Sequence, residues 1–339
     1  MPIENIAHWI YDKGYNDNIV LYSKVSIYRN IDGIRFYNYM DKYDTEKVNE
    51  ILDSAIKDLH LNLISLKFIE TNTNNIKILR ENLILPEKRN ILNSTLYMSS
   101  SGNISILTNA DEHLEIQAIQ RGLELESCFN NAYNIENSID KKVNFSYDKK
   151  FGFLTSSTER VGIAMNMKVT MAIPTIMWKT PDNMDFFINK YSKQGFDLYI
   201  EDNKVPILTI KNRVMLGINE TDLLKQMLEI VNSISEREKK LRDRLKRLNK
   251  YTIEDKIFRS MGILSNCRYL KYKELIKYSL WLRVGIYYNL IENIDLDKLY
   301  YLLFITKKNH IKDIFRKNKN LIDMGEVRAS IVRDLINNN

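Results

Sequence analysis

Two acids beside a histidine are the first residues of this 339-residue chain whose types and spacing could do chemistry. Asp111 and Glu112 stand directly before His113, and the preceding run Ile104–Thr108 alternates apolar and polar residues. Alternation with period two predicts a strand, so the three side chains would lie where that strand ends. Such groups can act as general acids or bases, or they can hydrogen-bond to the local backbone. The residues alone leave both interpretations open.

The elements around this cluster form a mixed pattern of strands and helices. Ser99–Gly102 predicts the turn of a hairpin, because period-two runs flank it on both sides. Longer segments with apolar residues three and four apart predict helices. The predicted strand pairs cover 95–108 and 196–210; the predicted helices cover 45–60, 77–85, 221–249, 257–264, 272–288, 296–305 and 328–336. Leu114–Asn144 is interpreted as mostly helical, and Val161–Trp178 as a buried helix that enters a strand.

Composition excludes several classes of protein. Hydrophobic residues make up 44% of the chain, which is typical of a folded protein, and no apolar run approaches the ~20 residues of a membrane span. Cys128 and Cys267 stand far apart, so neither a disulfide framework nor a zinc site is predicted. The first residues lack the basic-then-apolar pattern of a signal peptide, and we expect a cytoplasmic protein.

The net charge of +7 could indicate a nucleic-acid partner. The clearest basic run, Arg237–Lys250, alternates with acids, however, and this pattern is typical of a solvated helix face. A DNA-associated regulator is therefore a hypothesis supported by net charge alone, and we expect no nucleic-acid or membrane partner.

The run Asn109–Ile116 resembles the Asn-Glu-Glu-Asp-His-x-Arg-Ile signature of the guanidino kinases, the superfamily of creatine and arginine kinases. Within that superfamily the chain is similar to the bacterial protein arginine kinases. The run Glu254–Leu264 carries this closer likeness, since ordinary phosphagen kinases lack a C-terminal module of this kind. Further similar blocks are Trp9–Phe36, Leu83–Glu87, Gly152–Ser156 and Asn212–Glu220.

This resemblance implies an α+β fold, with an antiparallel sheet flanked by helices and a C-terminal all-helical module. We expect a small N-terminal part at 1–85, a guanidino-kinase catalytic-type domain at 86–250 and the helical module at 251–339.

The family neutralises the charge of ATP with a ring of arginines, whose forked donors match phosphate oxygens. In the resemblance, Lys24 and Ser26 replace two of these arginines, while Arg29 retains a third. Two other arginine positions fall on Glu115 and Asn166. The resemblance therefore implies a nucleotide site reduced to a weak anion site.

The guanidinium side of the family's site is altered too. Ala110 replaces one of its paired carboxylates, and Ser157 stands at the reactive-cysteine position. The phosphoarginine-reading motif of the C-terminal module, Arg-Asp-x-x-Arg-Ala, keeps only its second arginine. The resemblance leaves these candidate site residues: Asp111 and Glu112 as degenerate catalytic groups, Lys24, Arg29 and His113 as a residual nucleotide site, and Arg328 as a remnant of the phosphoarginine reader. No metal ligands are predicted.

Two functions follow from this resemblance. The leading hypothesis is a catalytically degenerate protein arginine kinase homologue that binds a partner in a stress-response and proteolysis system. That partner would be an active arginine kinase or an unfoldase–protease component, and we expect self-association or capture of a stress-protease component through residues 254–339. The alternative is an active Mg-ATP-dependent kinase with phosphate contacts rebuilt from Lys24, Arg29, Lys168 and Arg213. Under the leading hypothesis no cofactor is expected.

Overall fold

The computed structural model describes residues 7–86, 91–202, 205–213, 215–315 and 323–337. Its strands are β1 (Val20–Arg29), β2 (Leu63–Lys67), β3 (Thr95–Ser99), β4 (Ile104–Thr108), β5 (Leu114–Arg121), β6 (Tyr147–Asp148), β7 (Gly152–Phe153), β8 (Met165–Ala172), β9 (Phe196–Asp202) and β10 (Val205–Asn212). Its helices are α1 (Lys42–Lys57), α2 (Thr73–Glu81), α3 (Leu125–Asp140), α4 (Pro174–Lys179), α5 (Asp182–Ser192), α6 (Glu220–Leu248), α7 (Lys250–Asn266), α8 (Tyr272–Tyr287), α9 (Leu296–Ile305), α10 (Lys308–Ile314) and α11 (Met324–Asn337).

Eight strands form one sheet in the order β2-β3-β4-β5-β1-β8-β10-β9. Every neighbouring pair in that sheet is antiparallel. Strand β1 lies at the centre, paired with β5 on one side and β8 on the other, so the N-terminal residues supply a strand to the same sheet as the rest. The division of the chain at residues 85 and 250 stays a prediction.

One face of the sheet packs against helices. Along β1, Val25 and Ile27 point to this face and are completely buried. They belong to a core that also holds the apolar stripes of α3 and α6. Helix α6 begins at an Asn219 cap, whose Oδ1 accepts a hydrogen bond from the Asp222 amide. This layer is the helical flank that an α+β fold requires.

The C-terminal module covers part of the opposite face. Tyr300 of α9 belongs to the same buried core as Trp9 near the N-terminus and Leu107 of β4. The Tyr300 hydroxyl lies 2.9 Å from the carbonyl oxygen of Leu21, and the Arg121 guanidinium stacks over its ring at 3.9 Å. A second core lies within the module itself, between α7, α8, α9 and α11. The module is therefore packed onto the sheet.

Two predictions of secondary structure were wrong. Residues 114–121 form β5, in which every residue except Gln120 is buried. Burial on both faces hides the polar–apolar contrast on which a periodicity argument depends. The order within 161–178 is also reversed, since β8 precedes α4, whose first residue is Pro174. The hairpin at 95–108 and the long helix at 221–249 are confirmed. None of the described helices is long and apolar enough to cross a membrane.

Candidate functional site

The acids and the histidine lie together in the tight turn that joins β4 to β5. Asn109 opens this turn in the left-handed conformation, with φ of 51°, which asparagine tolerates better than most residues. Its side-chain amide donates to the Thr45 carbonyl oxygen at 3.1 Å, so the turn is tied to helix α1. The predicted strand end is thus confirmed as the position of the cluster.

Glu112 is fully engaged by the protein. Its side chain is buried, and Oε2 accepts hydrogen bonds from Asn30 Nδ2 at 2.7 Å and from the Ser156 amide at 2.8 Å. Oε1 accepts a third bond from Arg160 Nη1 at 3.0 Å. A buried carboxylate needs this set of donors because water cannot solvate it. Glu112 therefore joins the β4–β5 turn to β1 and to the loop before β8.

Arg160 bridges the two acids. Besides its bond to Glu112, its Nη2 lies 3.3 Å from Asp111 Oδ2, and its guanidinium stacks over the Tyr28 ring at 4.6 Å. Asp111 is the more exposed of the two acids: 36% of its side chain is exposed, whereas the side chain of Glu112 is fully buried. We call Asp111, Glu112 and Arg160 the acid cluster. A guanidinium of the chain itself thus forms ion pairs with both carboxylates.

A glycine holds the loop that carries Arg160. Gly162 adopts φ of 126°, and a Cβ at this position would lie 2.0 Å from the Met215 carbonyl oxygen. Its own carbonyl accepts a bond from the Phe153 amide at 2.8 Å. Because no other residue fits this close approach, the backbone path beside Arg160 is tightly defined.

His113 is completely buried and has a partner for each ring nitrogen. The Ile31 amide donates to Nδ1 at 2.9 Å, which leaves the proton on Nε2, and that N–H donates to the Arg35 carbonyl oxygen at 2.9 Å. Burial lowers the pKa of His113, so the neutral ring is favoured. These contacts are those of a strand-end residue bonded locally, and its assignment to a nucleotide site stays a prediction.

Arg29 faces away from the acid cluster. Its Nε donates to Glu136 Oε1 at 2.8 Å, its guanidinium lies 3.4 Å from the Phe153 ring centre, and the residue is 1% exposed. Because alternate residues of a strand point to opposite faces, Arg29 lies with Val25 and Ile27 on the helix-covered face. The structure places Arg29 in a buried ion pair, where it offers no surface to a nucleotide.

Lysines and an acid face the opposite side of the sheet. Lys24 of β1 lies directly across from Lys168 of β8, and Lys168 from Lys211 of β10. Two residues along the same face, Ser26 pairs with Asn166. Opposed residues of antiparallel strands project to the same side, so these residues share one surface. Tyr28 and Glu115 form the next pair along this face, and Arg160 lies over Tyr28.

These residues fit a nucleotide triphosphate poorly. Glu115 is 4% exposed and places a carboxylate beside the surface that would receive the phosphates. Lysine offers a point charge where the family has a bidentate fork, and Ser26 and Asn166 offer no charge at all. Arg213, proposed for rebuilt contacts, follows the last residue of β10; it donates to the Ser192 carbonyl oxygen at 2.8 Å and lies 3.7 Å from the Asp197 carboxylate.

Arg328 is an internal cross-link of the C-terminal module. Its Nε donates to the Thr306 carbonyl oxygen at 3.0 Å, and Nη1 donates to the Leu270 carbonyl oxygen at 2.9 Å. Burial lowers the pKa of this guanidinium. These bonds join α11 to the end of α9 and to the segment before α8. Reading of phosphoarginine by Arg328 stays a prediction.

Arg160 is the residue to which the sequence analysis gave no role. The run Ser157–Arg160 is similar to the Cys-Pro-x-Asn motif of the family, and Arg160 stands at its asparagine. An uncharged side chain is thus replaced by a guanidinium, which lies 3.0 Å from Glu112 and 3.3 Å from Asp111. That exchange was the available signal. Neither cysteine contributes to the cluster: Cys128 is buried in the sheet core, and burial raises the pKa of its thiol. Among the described residues, no three His, Cys, Asp or Glu side chains are arranged to hold a metal ion.

Comparison with known proteins gives matches along nearly the whole chain. Residues 45–241 match the family model described as ATP:guanido phosphotransferase, C-terminal catalytic domain. Residues 250–339 match the Protein-arginine kinase McsB C-terminal domain. A protein-arginine kinase of Clostridium botulinum is 28% identical, covering 98% of this chain and 100% of the relative. That of Bacillus pumilus is 25% identical and covers 97% of this chain and 93% of the relative.

Solved structures of guanidino kinases share the fold. Lombricine kinase superposes with a TM-score of 0.60 at 12% identity, covering 70% of this chain and 71% of that one. The duplicated taurocyamine kinase from Schistosoma mansoni gives a TM-score of 0.58 at 20% identity over 66% of this chain, and the match spans 33% of that duplicated chain. The predicted α+β fold, an antiparallel sheet flanked by helices with a C-terminal helical region, is confirmed. The chain belongs to the ATP:guanido phosphotransferase family, in its bacterial protein-arginine-kinase branch.

Proposed function

We propose that this protein is a catalytically degenerate member of the protein-arginine-kinase branch that acts by binding a protein partner. The observation that carries the proposal is the acid cluster, in which Arg160 occupies both Asp111 and Glu112. In active relatives the paired carboxylates receive a guanidinium from the substrate. Here a guanidinium of the same chain already fills that position, held by two carboxylates and an aromatic ring.

Residues on the sheet face opposite α3 and α6 support the same proposal, because they stand at arginine positions of the family. Transfer of a phosphoryl group depends on positioned positive charge, and loss of one transition-state arginine costs on the order of 10³–10⁵ in rate. The two arginine positions on β1 that face the open side carry Lys24 and Ser26, and the position on β5 carries Glu115. Substitutions on both sides of the reaction would remove catalysis together.

The binding role rests on family membership. The relatives are named protein-arginine kinases, and the match to their C-terminal domain extends over residues 250–339. A partner in protein quality control, either an active arginine kinase or an unfoldase–protease component, is consistent with that branch. Self-association belongs to the same proposal.

A transfer assay tests the proposal. Incubation with Mg-ATP and unfolded casein should give no acid-labile phosphoarginine above the no-enzyme control, while an active relative run in parallel labels the casein. Arg160→Asn, which restores the family's residue type, should not restore activity, because Glu115 and Ser26 remain. Product that forms with the unaltered chain and disappears in Asp111→Asn would establish a working enzyme.

One observation favours the alternative of an active kinase. Lys24, Lys168 and Lys211 form a row of cations across three adjacent strands, on the surface where the family binds phosphates. Under this alternative Mg-ATP would bind along that row, and Lys24→Gln together with Lys168→Gln would abolish transfer.

A further inference from the structure

A groove lies where the sheet meets the C-terminal module, away from the acid cluster. It has a volume of about 790 Å³ and runs between α4, the β9–β10 end of the sheet, α7 and the start of α8. Among the described residues, four lysines and two acids line it, so positive charge is in excess there. Its walls also carry apolar and aromatic side chains, among them Met177, Trp178 and Trp281. We call this surface the lysine groove.

The positive charge of the lysine groove is only partly balanced by the chain. Lys273 pairs with Asp202 at 2.7 Å. Among the residues that the structure describes, neither Lys256 nor Lys277 lies within ion-pair distance of a carboxylate. The pKa of Lys256 is lowered, first by burial and then by the like charge of Lys277, and the opposing attraction of Asp255 is smaller than either.

Two tryptophans hold Lys256 in place. Its Nζ lies 4.6 Å from the Trp178 ring centre and 5.4 Å from that of Trp281. The two rings meet edge to face, with centres 5.6 Å apart. A cation held against aromatic faces is positioned without being neutralised. Lys256 therefore presents a positioned positive charge to the groove.

The same contacts distinguish between two kinds of anion. Single-stranded nucleic acid binds by stacking its bases on open aromatic faces. Here Lys179, at 4.0 Å, and Lys256 already lie over the Trp178 ring. The groove thus offers ammonium groups and an apolar wall in place of an open stacking face. Carboxylates match this surface by charge, and an adjoining aliphatic side chain matches its apolar wall.

We propose that the lysine groove docks an acidic peptide segment of a partner protein, with carboxylates on Lys256 and Lys277 and an aliphatic side chain against Met177. The partner is thereby specified as one with an exposed Glu- or Asp-rich segment. This site is independent of the catalytic state of the cleft, because it shares no residue with the acid cluster.

Binding of a designed probe tests the proposal on the full-length chain. The probe is a fluorescein-labelled octapeptide of six glutamates and two leucines, titrated at low ionic strength by fluorescence anisotropy. Lys256→Gln with Lys277→Gln should weaken the dissociation constant about tenfold, since each removes a charge contact. The matched control, Lys47→Gln with Lys225→Gln, removes the same charge from two exposed helix positions elsewhere and should change affinity less than about twofold.

Two further measurements keep the result interpretable. Lys277→Gln and Lys277→Arg leave the tryptophan contacts intact, and only the first should weaken binding. Unlabelled probe should also change the tryptophan emission, because Trp9, the third tryptophan of the chain, is completely buried elsewhere. Equal losses in the two double variants, no binding at all, or tighter binding of a thymidine dodecamer than of the peptide would each overturn the proposal.

Discussion

The acid cluster and the lysine groove both gather charged side chains, yet they balance charge in different ways. In the acid cluster each carboxylate has a cationic partner within the chain, and Glu112 accepts three hydrogen bonds. In the lysine groove, neither Lys256 nor Lys277 has a described carboxylate within ion-pair distance. A site whose charges are satisfied internally has little to offer a ligand, whereas unbalanced charge favours one. We therefore propose the lysine groove, and not the acid cluster, as the surface that binds a partner.

Truncation after residue 250 gives the largest expected effect. The two regions would be separable only if the sheet folded without the module, but Tyr300 and Leu280 belong to the core on the sheet's second face. Arg283 Nη1 also donates to the Asp17 carbonyl oxygen at 2.7 Å. We expect residues 1–250 alone to lose cooperative urea unfolding. A truncated chain that unfolds cooperatively at an unchanged midpoint would show that the sheet and its acid cluster stand alone.

The acid cluster and the lysine groove should also differ in how much each contributes to the free energy of unfolding. Arg160→Ala leaves the buried Glu112 without its cation, and we expect a loss of about 1–3 kcal/mol in the free energy of unfolding. Lys277→Gln, on the exposed rim of the groove, should change that free energy by less than about 0.5 kcal/mol. Urea denaturation measures both. Adding Glu112→Gln to Arg160→Ala should recover part of the loss, and equal costs for Arg160→Ala and Lys277→Gln would contradict the account.

The free energy of unfolding should depend on pH through His113, the residue that follows Glu112 in the chain. The pKa of His113 is lowered in the folded state, so the unfolded chain binds more protons once the pH falls below the ordinary value of about 6.5. Stability is therefore full above that pH and declines as the pH falls toward the folded pKa, by at most about 1.4 kcal/mol per pH unit from this group. His113→Asn should flatten the profile between pH 7 and 5.5. An unchanged slope would show that His113 does not titrate differently on folding.

Affinity of the lysine groove should vary little over the same pH range. Its described lining residues include no histidine, the residue type whose ordinary pKa lies within this range. We expect the dissociation constant of the acidic probe to change less than about twofold between pH 7.5 and 6. A larger change would mean that a group outside the groove controls binding.

The sequence predicted much of the fold because family motifs and long periodic helices carry information locally. The hairpin at 95–108 and helix α6 were placed correctly because their periodicity is visible in the local sequence. Strand β5 was missed because it is buried on both faces, where alternation disappears. The packing of α8 and α9 onto the sheet depends on contacts between residues hundreds of positions apart, such as Tyr300 with Leu21, and no local pattern announces them.

The candidate site was only partly predictable for a related reason. Motif positions say which residue types stand where the family has its chemistry, but not where each side chain points. Arg29 occupies a family arginine position, yet it binds Glu136 on the far face of the sheet. The only feature of the sequence that pointed to Arg160 was the replacement of an asparagine. Its contact with Asp111 depends on how the loop folds, so it could not be predicted from the sequence.

Thermal unfolding with Mg-ATP tests the central claim most directly. A nucleotide at 100 times its dissociation constant would stabilise the fold by about 2.7 kcal/mol and raise Tm by several degrees. Because Ser26 and Glu115 stand where the resemblance implies phosphate-binding arginines of the family, we predict that millimolar Mg-ATP leaves Tm essentially unchanged. Lys24→Gln is the matched variant, since Arg29→Ala would break a buried ion pair. A rise in Tm of several degrees that disappears in Lys24→Gln would contradict the claim that the nucleotide site is degenerate.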